Sequence, residues 1–372
     1  MKVMTILGTR PEIIKLSCVI PELDRAFQHV LVHTGQNYDY ELNQIFFEGL
    51  GLRKPDRFLD CAAQGAAQTI ANVIARSDEA MAREKPDALL LLGDTNSCLA
   101  AIAAKRRKIP IFHMEAGNRC FDERVPEEVN RRIVDHVSDV NLAYTEHARR
   151  HLLAEGVRAE TVIKTGSPMK QVLAAQAKQI EKSQVLKKLG VQRQKYFAVS
   201  LHREENVDDK AKFGRLLTAL SELKAQYKVP VIVSTHPRTR KRLGALGRKA
   251  PKGLQFLAPL AFADYISLQR SALCVLSDSG TLTEEASLLG FAGVMIREAH
   301  ERPEGMDQGT VIMAGTRRER ILEAVKVATE RFARAGRTWR VAPDYEVDDV
   351  ASIVVNAILG YTDYVNRTVW RK

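Results

Sequence analysis

Cysteine is scarce and scattered: five residues in 372, at positions 18, 61, 98, 120 and 274, with no CxxC spacing. That pattern excludes a disulfide framework and a cysteine-based zinc module, and it fits a reduced, cytoplasmic setting. No apolar run approaches the ~20 residues of a membrane span. The N-terminal MKVMTILGTRPE has too short an apolar run for a secretory leader and is already shaped as a first strand. Aromatic residues make up only 6% of the chain, against a formal charge of +11. The basic clusters at 105–108, 238–242 and 317–320 fall in predicted helices or connections, without interleaved aromatics. The excess charge therefore fits solvated faces and an anionic small substrate better than nucleic acid, which is the rival from another class. GxGxxG, P-loop, HExxH, GxSxG and DxD patterns are all missing. Their absence argues against a dinucleotide fold, a P-loop kinase, a zinc peptidase and a serine hydrolase.

What is present is globular: 45% hydrophobic and 27% charged, in a chain too long for one small core. Apolar runs of strand length alternate with helical patterns. Strands are expected at 3–7, 30–34, 88–92, 109–114, 140–144 and 161–165, and then at 197–201, 231–235, 254–257, 274–276, 293–296 and 310–313. Helices are expected at 96–105, 126–137, 146–155 and 318–335, with a last one of about fifteen residues from Val350. This βαβα order calls for α/β architecture: two doubly wound, Rossmann-like domains facing a cleft. The expected division is an N-terminal domain over 1–168, a helical connection over 169–190 and a C-terminal domain over 191–349. A final helix over 350–372 would reach back to the first domain.

The stretch from Pro86 to Arg132 organises the first half. Two apolar runs end at acids, Asp94 and Glu115, and Glu127–Glu128 follow Pro126 at the start of a helix. Ligands of parallel sheets bind beyond the carboxyl ends of the strands, so Asp94, Glu115 and Glu127 are expected to converge on one crevice. Carboxylates gathered there beside arginines suit proton transfer on a bound anion. At GTRPEIIKL, Gly8 and Thr9 make a turn ahead of Pro11, with Arg10 and Lys15 near the helix start. This is either a diphosphate site or an ordinary strand–turn–helix corner.

In the second half, SDSGTLTEEASLLG places Ser279 and Gly280 at a strand end, with Thr281 as a helix cap and Glu284 and Glu285 in the first turn. Backbone N–H groups there would cradle a phosphate and a glutamate would accept from sugar hydroxyls; a plain capping box, Thr281-x-x-Glu284, is the alternative. His202, after the strand at 197–201, is a candidate acid or diphosphate ligand, and His236 is placed similarly. The loop REAHERPEG offers Arg297, Arg302 and Glu304, as a site or as a surface salt-bridge cluster.

In order, GTRPEIIK, LLGDTNS, HMEAGNR, PEEVNRR, HREEN, THPR, SDSGTLTEEASLLG and ERPEG resemble the motifs of the non-hydrolysing UDP-N-acetylglucosamine 2-epimerases. The resemblance implies a glycosyltransferase-B-like fold that binds a UDP-sugar between its domains, needs no nicotinamide or metal, and forms homodimers. It implies an acid/base set of Asp94, Glu115 and Glu127. Arg10, Lys15, Arg131, Arg302 and His202 would serve the diphosphate and its charge, Tyr265 would stack on uracil, and Ser279, Gly280 and Glu285 would contact diphosphate and ribose. A nucleotide-sugar glycosyltransferase shares the fold and donor and is the nearest rival. Departures from the family pattern are TGQNYDYELNQ, HMEAGNRC and SDSGT. They resemble the branch that converts UDP-2-acetamido-2,6-dideoxy-L-talose to UDP-N-acetyl-L-fucosamine for surface polysaccharide. The alternative is a UDP-N-acetylglucosamine 2-epimerase that makes UDP-N-acetylmannosamine. The altered stretch at 36–40 implies loss of the family's effector site.

Overall fold

The computed structural model describes residues 1–35, 40–235, 237–245 and 253–372. The chain divides into two compact units, Met1–Ala175 with Pro343–Lys372, and Gln176–Ala342. The first carries seven strands: β1 (Lys2–Leu7), β2 (Gln28–His33), β3 (Arg57–Phe58), β4 (Ala88–Leu92), β5 (Ile111–Ala116), β6 (Val140–Ala143) and β7 (Val162–Lys164). The second carries six: β8 (Phe197–Leu201), β9 (Val231–Thr235), β10 (Leu254–Leu257), β11 (Cys274–Ser277), β12 (Gly293–Met295) and β13 (Val311–Met313).

Both sheets are parallel and doubly wound, with orders β3-β2-β1-β4-β5-β6-β7 and β10-β9-β8-β11-β12-β13. Strand order reverses between β1 and β4 in the first sheet and between β8 and β11 in the second. Chain segments that leave such neighbouring strands toward opposite faces open a crevice at the carboxyl end. The strands are nearly continuous apolar runs because helices cover both faces: Ala88–Leu92 is buried throughout.

Several helices follow directly from local signals. Pro126 opens Pro126–Val137 and Thr145 caps Glu146–Ala154, its side chain accepting from the Ala148 N–H at 3.2 Å. The helix Val350–Val365 packs against Val19–Ala26 within the first unit. The expected helix at 96–105 is two pieces, a 3₁₀ turn Asn96–Leu99 and the helix Ala100–Arg106. Long helices at Ala66–Glu84 and Lys210–Tyr227 add cover that the motif reading did not include.

Candidate active site

The turn after β1 differs from the expected anion cradle. Glu12, in the first turn of Arg10–Leu16, folds back so that Oε2 accepts from the N–H groups of Gly8 (2.9 Å) and Thr9 (2.6 Å) and from the Thr9 hydroxyl (2.7 Å). The donors that would have met a phosphate are thus taken by the protein's own carboxylate, in a reciprocal capping arrangement. The other oxygen, Oε1, accepts from Thr95 Oγ1 at 3.0 Å and so ties the β1 turn to the β4 turn. Glu12 is buried, and burial outweighs these hydrogen bonds, pushing its pKa up to about 7.

Glu115 does not lie beyond its strand. β5 runs on to Ala116, and the register with β6 slips between Met114 and Ala116. At the irregularity Glu115 takes φ 63°, a left-handed conformation that costs a residue with a side chain. Its Oε1 receives Lys15 Nζ at 2.6 Å and Asn118 Nδ2 at 3.5 Å. The pair is nearly out of water, with 11% and 4% of the Glu115 and Lys15 side chains exposed. Lys15 also lies 5.6 Å from the Tyr144 ring centroid.

A buried set of charges holds this strained end in place. His113 Nε2 meets the Gly93 carbonyl at 2.7 Å and Nδ1 meets Asp135 at 2.9 Å. Asp135 also accepts from the Gly117 N–H (3.1 Å) and from Arg119 (2.7 Å), whose far edge reaches Glu155 at 2.5 and 2.8 Å. Gly117 has φ 84°, and a Cβ there would sit 2.3 Å from the Ala148 carbonyl oxygen. The backbone on both sides of Glu115 is thereby fixed.

Asp94, one residue past β4 and Gly93, is gripped by Arg131 from Pro126–Val137, with Nη2 at 2.6 Å and Nε at 3.0 Å from one oxygen. Its side chain remains 27% exposed. The glutamate pair splits. Glu128 is buried and accepts from the N–H groups of Cys120 (3.0 Å) and Phe121 (3.3 Å) and from Arg131 (3.1 Å), which makes it the organiser of the 117–125 loop. Glu127 is half-buried in the first turn of the same helix. Arg10 is half-buried, its guanidinium 5.7 Å from the Phe46 ring centroid.

In the second unit, Gly280 is the N-cap of Thr281–Leu289 and Thr281 is its first helical residue, so the expected Thr281 cap is corrected. The Glu284 carboxylate instead lies 3.5 Å from Arg302 Nε, buried in the helix. Arg302 lies over Gly280, where a Cβ would come within 2.3 Å of Nη1; this explains the glycine. Ser279 Oγ pairs with Thr281 Oγ1 at 3.0 Å. Glu285 accepts from Gln269 Nε2 at 2.7 Å, and Tyr265 is half-buried on Phe262–Ser271. Burial pushes the Tyr265 phenol up, reinforced by the Glu285 charge. Arg297 is buried against Glu301 at 3.0 Å. His202 Nδ1 stands 2.8 Å from Asp278, with 35% of the histidine side chain exposed. His236 and residues 36–39 lie outside the described residues, and nothing of the Tyr40 side chain is described.

Motif reading missed Glu12, His113, Asp135 and Asp278 as organisers. Three of the four stand inside the quoted motifs, as the E of GTRPE, the H of HMEAG and the second residue of SDSG. Among the described residues, no group of three or more His, Cys, Asp or Glu could hold a metal ion. No described helix is long and apolar enough to cross a membrane.

A family model described as UDP-N-acetylglucosamine 2-epimerase matches residues 21–359. The chain belongs to the UDP-N-acetylglucosamine 2-epimerase family. Its members are isomerase-type enzymes, and the fold is shared closely with solved structures. A UDP-N-acetylglucosamine 2-epimerase from Rickettsia bellii is 55% identical, with a TM-score of 0.94 over 100% of both chains. The Methanocaldococcus jannaschii UDP-GlcNAc 2-epimerase in complex with UDP-GlcNAc and UDP is 32% identical. Its TM-score is 0.90, over 97% of this chain and 100% of that one. A relative acting on another sugar, the UDP-2,3-diacetamido-2,3-dideoxy-D-glucuronate 2-epimerase of Pseudomonas aeruginosa, is 35% identical over 88% of this chain and 92% of its own length.

Proposed function

We propose that this epimerase inverts C2 of a UDP-N-acetylhexosamine without net hydrolysis, and that its own substrate is UDP-2-acetamido-2,6-dideoxy-L-talose, which becomes UDP-N-acetyl-L-fucosamine. The observation that carries the reaction is the Glu115 carboxylate, set on strained backbone 2.6 Å from Lys15. Backbone strain of this kind persists where the surrounding structure enforces it, and it concentrates at working residues. The bound solved relative named with UDP-GlcNAc and UDP supports a UDP-sugar as the ligand class.

One carboxylate of the Asp94, Glu115 and Glu127 set takes the proton from C2. The C–H electron pair forms the C1=C2 bond, and the C1–O bond breaks with its pair leaving on the β-phosphate of UDP. The 2-acetamidoglycal is then protonated at C2 from the opposite face as the UDP oxygen returns to C1. Arg131, gripping Asp94, and Lys15, gripping Glu115, keep these acids oriented. Arg10, Arg302, His202 and the Ser279–Gly280 turn meet the diphosphate charge, which is largest when UDP has left. Tyr265 and Glu285 are assigned to uracil and ribose.

For the sugar, support comes from the residues that follow Glu115. Asn118 touches its carboxylate and Cys120 is held against Glu128, where the family pattern has Leu and Thr on either side of an arginine that this chain keeps as Arg119; Phe121, which follows, is also held against Glu128. Cys120 in place of the family's threonine removes one hydroxyl from this wall, which suits a sugar without the C6 hydroxyl, since a pocket built to bond a hydroxyl is penalised when its partners go unpaired. The Pseudomonas relative illustrates that similarity of this degree spans different sugars. The second reading, UDP-N-acetylglucosamine itself, is favoured by the 55% identity to the Rickettsia protein of that description. Each nucleotide sugar is incubated at equal concentration in heavy water, and deuterium at C2 is followed. Faster exchange into the 6-deoxy-L-talose compound, with no activation by UDP-N-acetylglucosamine, is expected. Efficient turnover of UDP-N-acetylglucosamine alone ends the 6-deoxy reading.

A further inference from the structure

We propose that Asp278 is a positioning residue for His202: it accepts from the Nδ1–H edge and so holds the imidazole in the orientation in which Nε2, once it also carries a proton, donates to the departing diphosphate. The inference rests on the reading of His202 given above and assigns the buried acid of the SDSG turn a part in the reaction.

The two residues meet because of topology. His202 follows β8 and Asp278 follows β11, the neighbouring strands between which the second sheet reverses its order. Asp278 is wholly buried, so its carboxylate needs a protein partner on every lone pair. One oxygen takes His202 Nδ1 at 2.8 Å. The other accepts from the N–H of His202 (3.1 Å), the N–H of Arg203 (3.0 Å) and Asn206 Nδ2 (3.3 Å). Asn206 is itself anchored to the Ile296 carbonyl at 3.0 Å. A single carboxylate thus holds both the backbone and the ring of His202. Burial pushes the Asp278 carboxyl up, but the His202 ring and the backbone N–H groups of Arg203 and His202 outweigh it and hold the carboxyl below its ordinary range.

An ionised carboxylate accepts only, so Nδ1 carries a proton. A second proton on Nε2, on the opposite edge of this partly exposed ring, makes that edge a donor to the diphosphate, and the Asp278 charge favours this doubly protonated ring. Acid–base histidines oriented by a carboxylate in this way lose turnover, and not merely binding, when the carboxylate becomes an amide, because the amide no longer orients the ring or stabilises its imidazolium form. Asp278 also begins the Ser279–Gly280 turn, so the same group aligns His202 with the backbone assigned to the diphosphate.

The test is a double-mutant cycle on C2 deuteration of whichever of the two UDP-sugars above the unmodified enzyme turns over, with UDP affinity measured by calorimetry. Asp278→Asn alone is expected to lower kcat roughly 10- to 100-fold with a smaller change in KM. In the His202→Ala background the same substitution is expected to cost no more than about 2-fold. An equal cost in both backgrounds overturns the inference, because Asp278 then only holds the loop. Full turnover in His202→Ala alone overturns the reading of His202, and this inference with it. A measurement on the unmodified protein guards against misfolding of the Asp278 variant. With 15N-labelled histidine, and the His202 signals assigned by their loss in His202→Gln, Nδ1 is expected to be protonated at the assay pH. An unprotonated Nδ1 overturns the proposal.

Discussion

At the end of β1 the first unit turns the N–H groups of Gly8 and Thr9 inward onto Glu12, whereas at the end of β11 the second unit lays the Arg302 guanidinium over Gly280. Both are strand–turn–helix corners, and either could have served an anion. The first has been closed by its own carboxylate. What that unit leaves at its strand ends is Asp94 and Glu115, each on a cation and each partly accessible. What the second unit leaves is His202, held by a buried acid, beside a turn overlain by an arginine. The first unit offers the carboxylates together with Arg10, and the second offers donors alone, in His202 and Arg302. A reaction that moves a proton from carbon while a diphosphate departs needs both kinds of group. Exposure sorts the first unit's acids in the same way: Glu12, Glu128 and Asp135 are buried and structural, while Asp94, Glu115 and Glu127 are the partly accessible ones.

The largest expected effect tests that division directly. Glu115→Gln, Asp94→Asn and Glu127→Gln are each expected to lower turnover roughly 10²-fold or more, the scale of a lost acid or base. UDP affinity should stay near its original value, because these side chains serve the sugar. His202→Ala and Arg10→Ala are expected to show the complementary pattern, with weaker UDP binding or slower loss of the diphosphate. Steady-state kinetics and UDP calorimetry on the five variants check both halves. Near-normal turnover in Glu115→Gln would remove the assignment.

Next in size is the closed corner. The unfolded chain loses the Glu12 proton near the ordinary 4.5, and the native protein loses it at about 7. Between those values the native state binds more protons than the unfolded one, so this group makes stability fall as pH rises. The gap corresponds to a contribution of about 3 kcal/mol, lost by pH 8. Glu12→Gln keeps an acceptor for Gly8 and Thr9 but cannot ionise. Urea unfolding at pH 5 and pH 8 should show that the wild-type difference between the two is smaller, or reversed, in the variant. An identical pH dependence in both proteins would mean that Glu12 is not the group responsible.

These features differ in how far the chain advertises them. The strand Ala88–Leu92 is legible at both ends, because five apolar residues meet Gly93 on one side and Pro86–Asp87 on the other. Pro126–Val137 is legible because proline favours a first helical turn. Ala66–Glu84 is not, since Gly65 stands at its N-cap with no side-chain hydrogen bond and its start has no local mark. The site shows the same limit. Asp94 and Glu115 announce themselves by ending apolar runs. The left-handed backbone of Glu115 does not, because it depends on Gly117 packing against the Ala148 carbonyl and on Asp135, eighteen residues further along, receiving the Gly117 N–H. The Thr281-x-x-Glu284 spacing fits a capping box, yet Glu284 is drawn away by Arg302 from a distant loop. Local pattern decides an element's type, and contacts distant in sequence decide what its polar residues do.

The smallest expected effect separates the two corners through one threonine in each. Thr95 Oγ1 donates to Glu12 Oε1 at 3.0 Å and accepts from the Ser97 N–H at 3.3 Å, so it links the β1 and β4 turns. Thr95→Ala removes both contacts and leaves a buried carboxylate oxygen short of a donor. It is expected to cost about 1 kcal/mol of stability, with no more than a few-fold loss of turnover and no change in UDP affinity. Thr281 Oγ1 bonds Ser279 Oγ at 3.0 Å, on a half-buried turn where water can replace it. Thr281→Ala is therefore expected to cost below about 0.5 kcal/mol while weakening UDP, because it loosens the Ser279 hydroxyl at the turn assigned to the diphosphate. Thermal unfolding and UDP titration of the two variants make a two-by-two comparison. Stability should move in one and affinity in the other. A loss of UDP affinity in Thr95→Ala with none in Thr281→Ala would mean that the first corner, although closed by Glu12, is the one that meets the nucleotide.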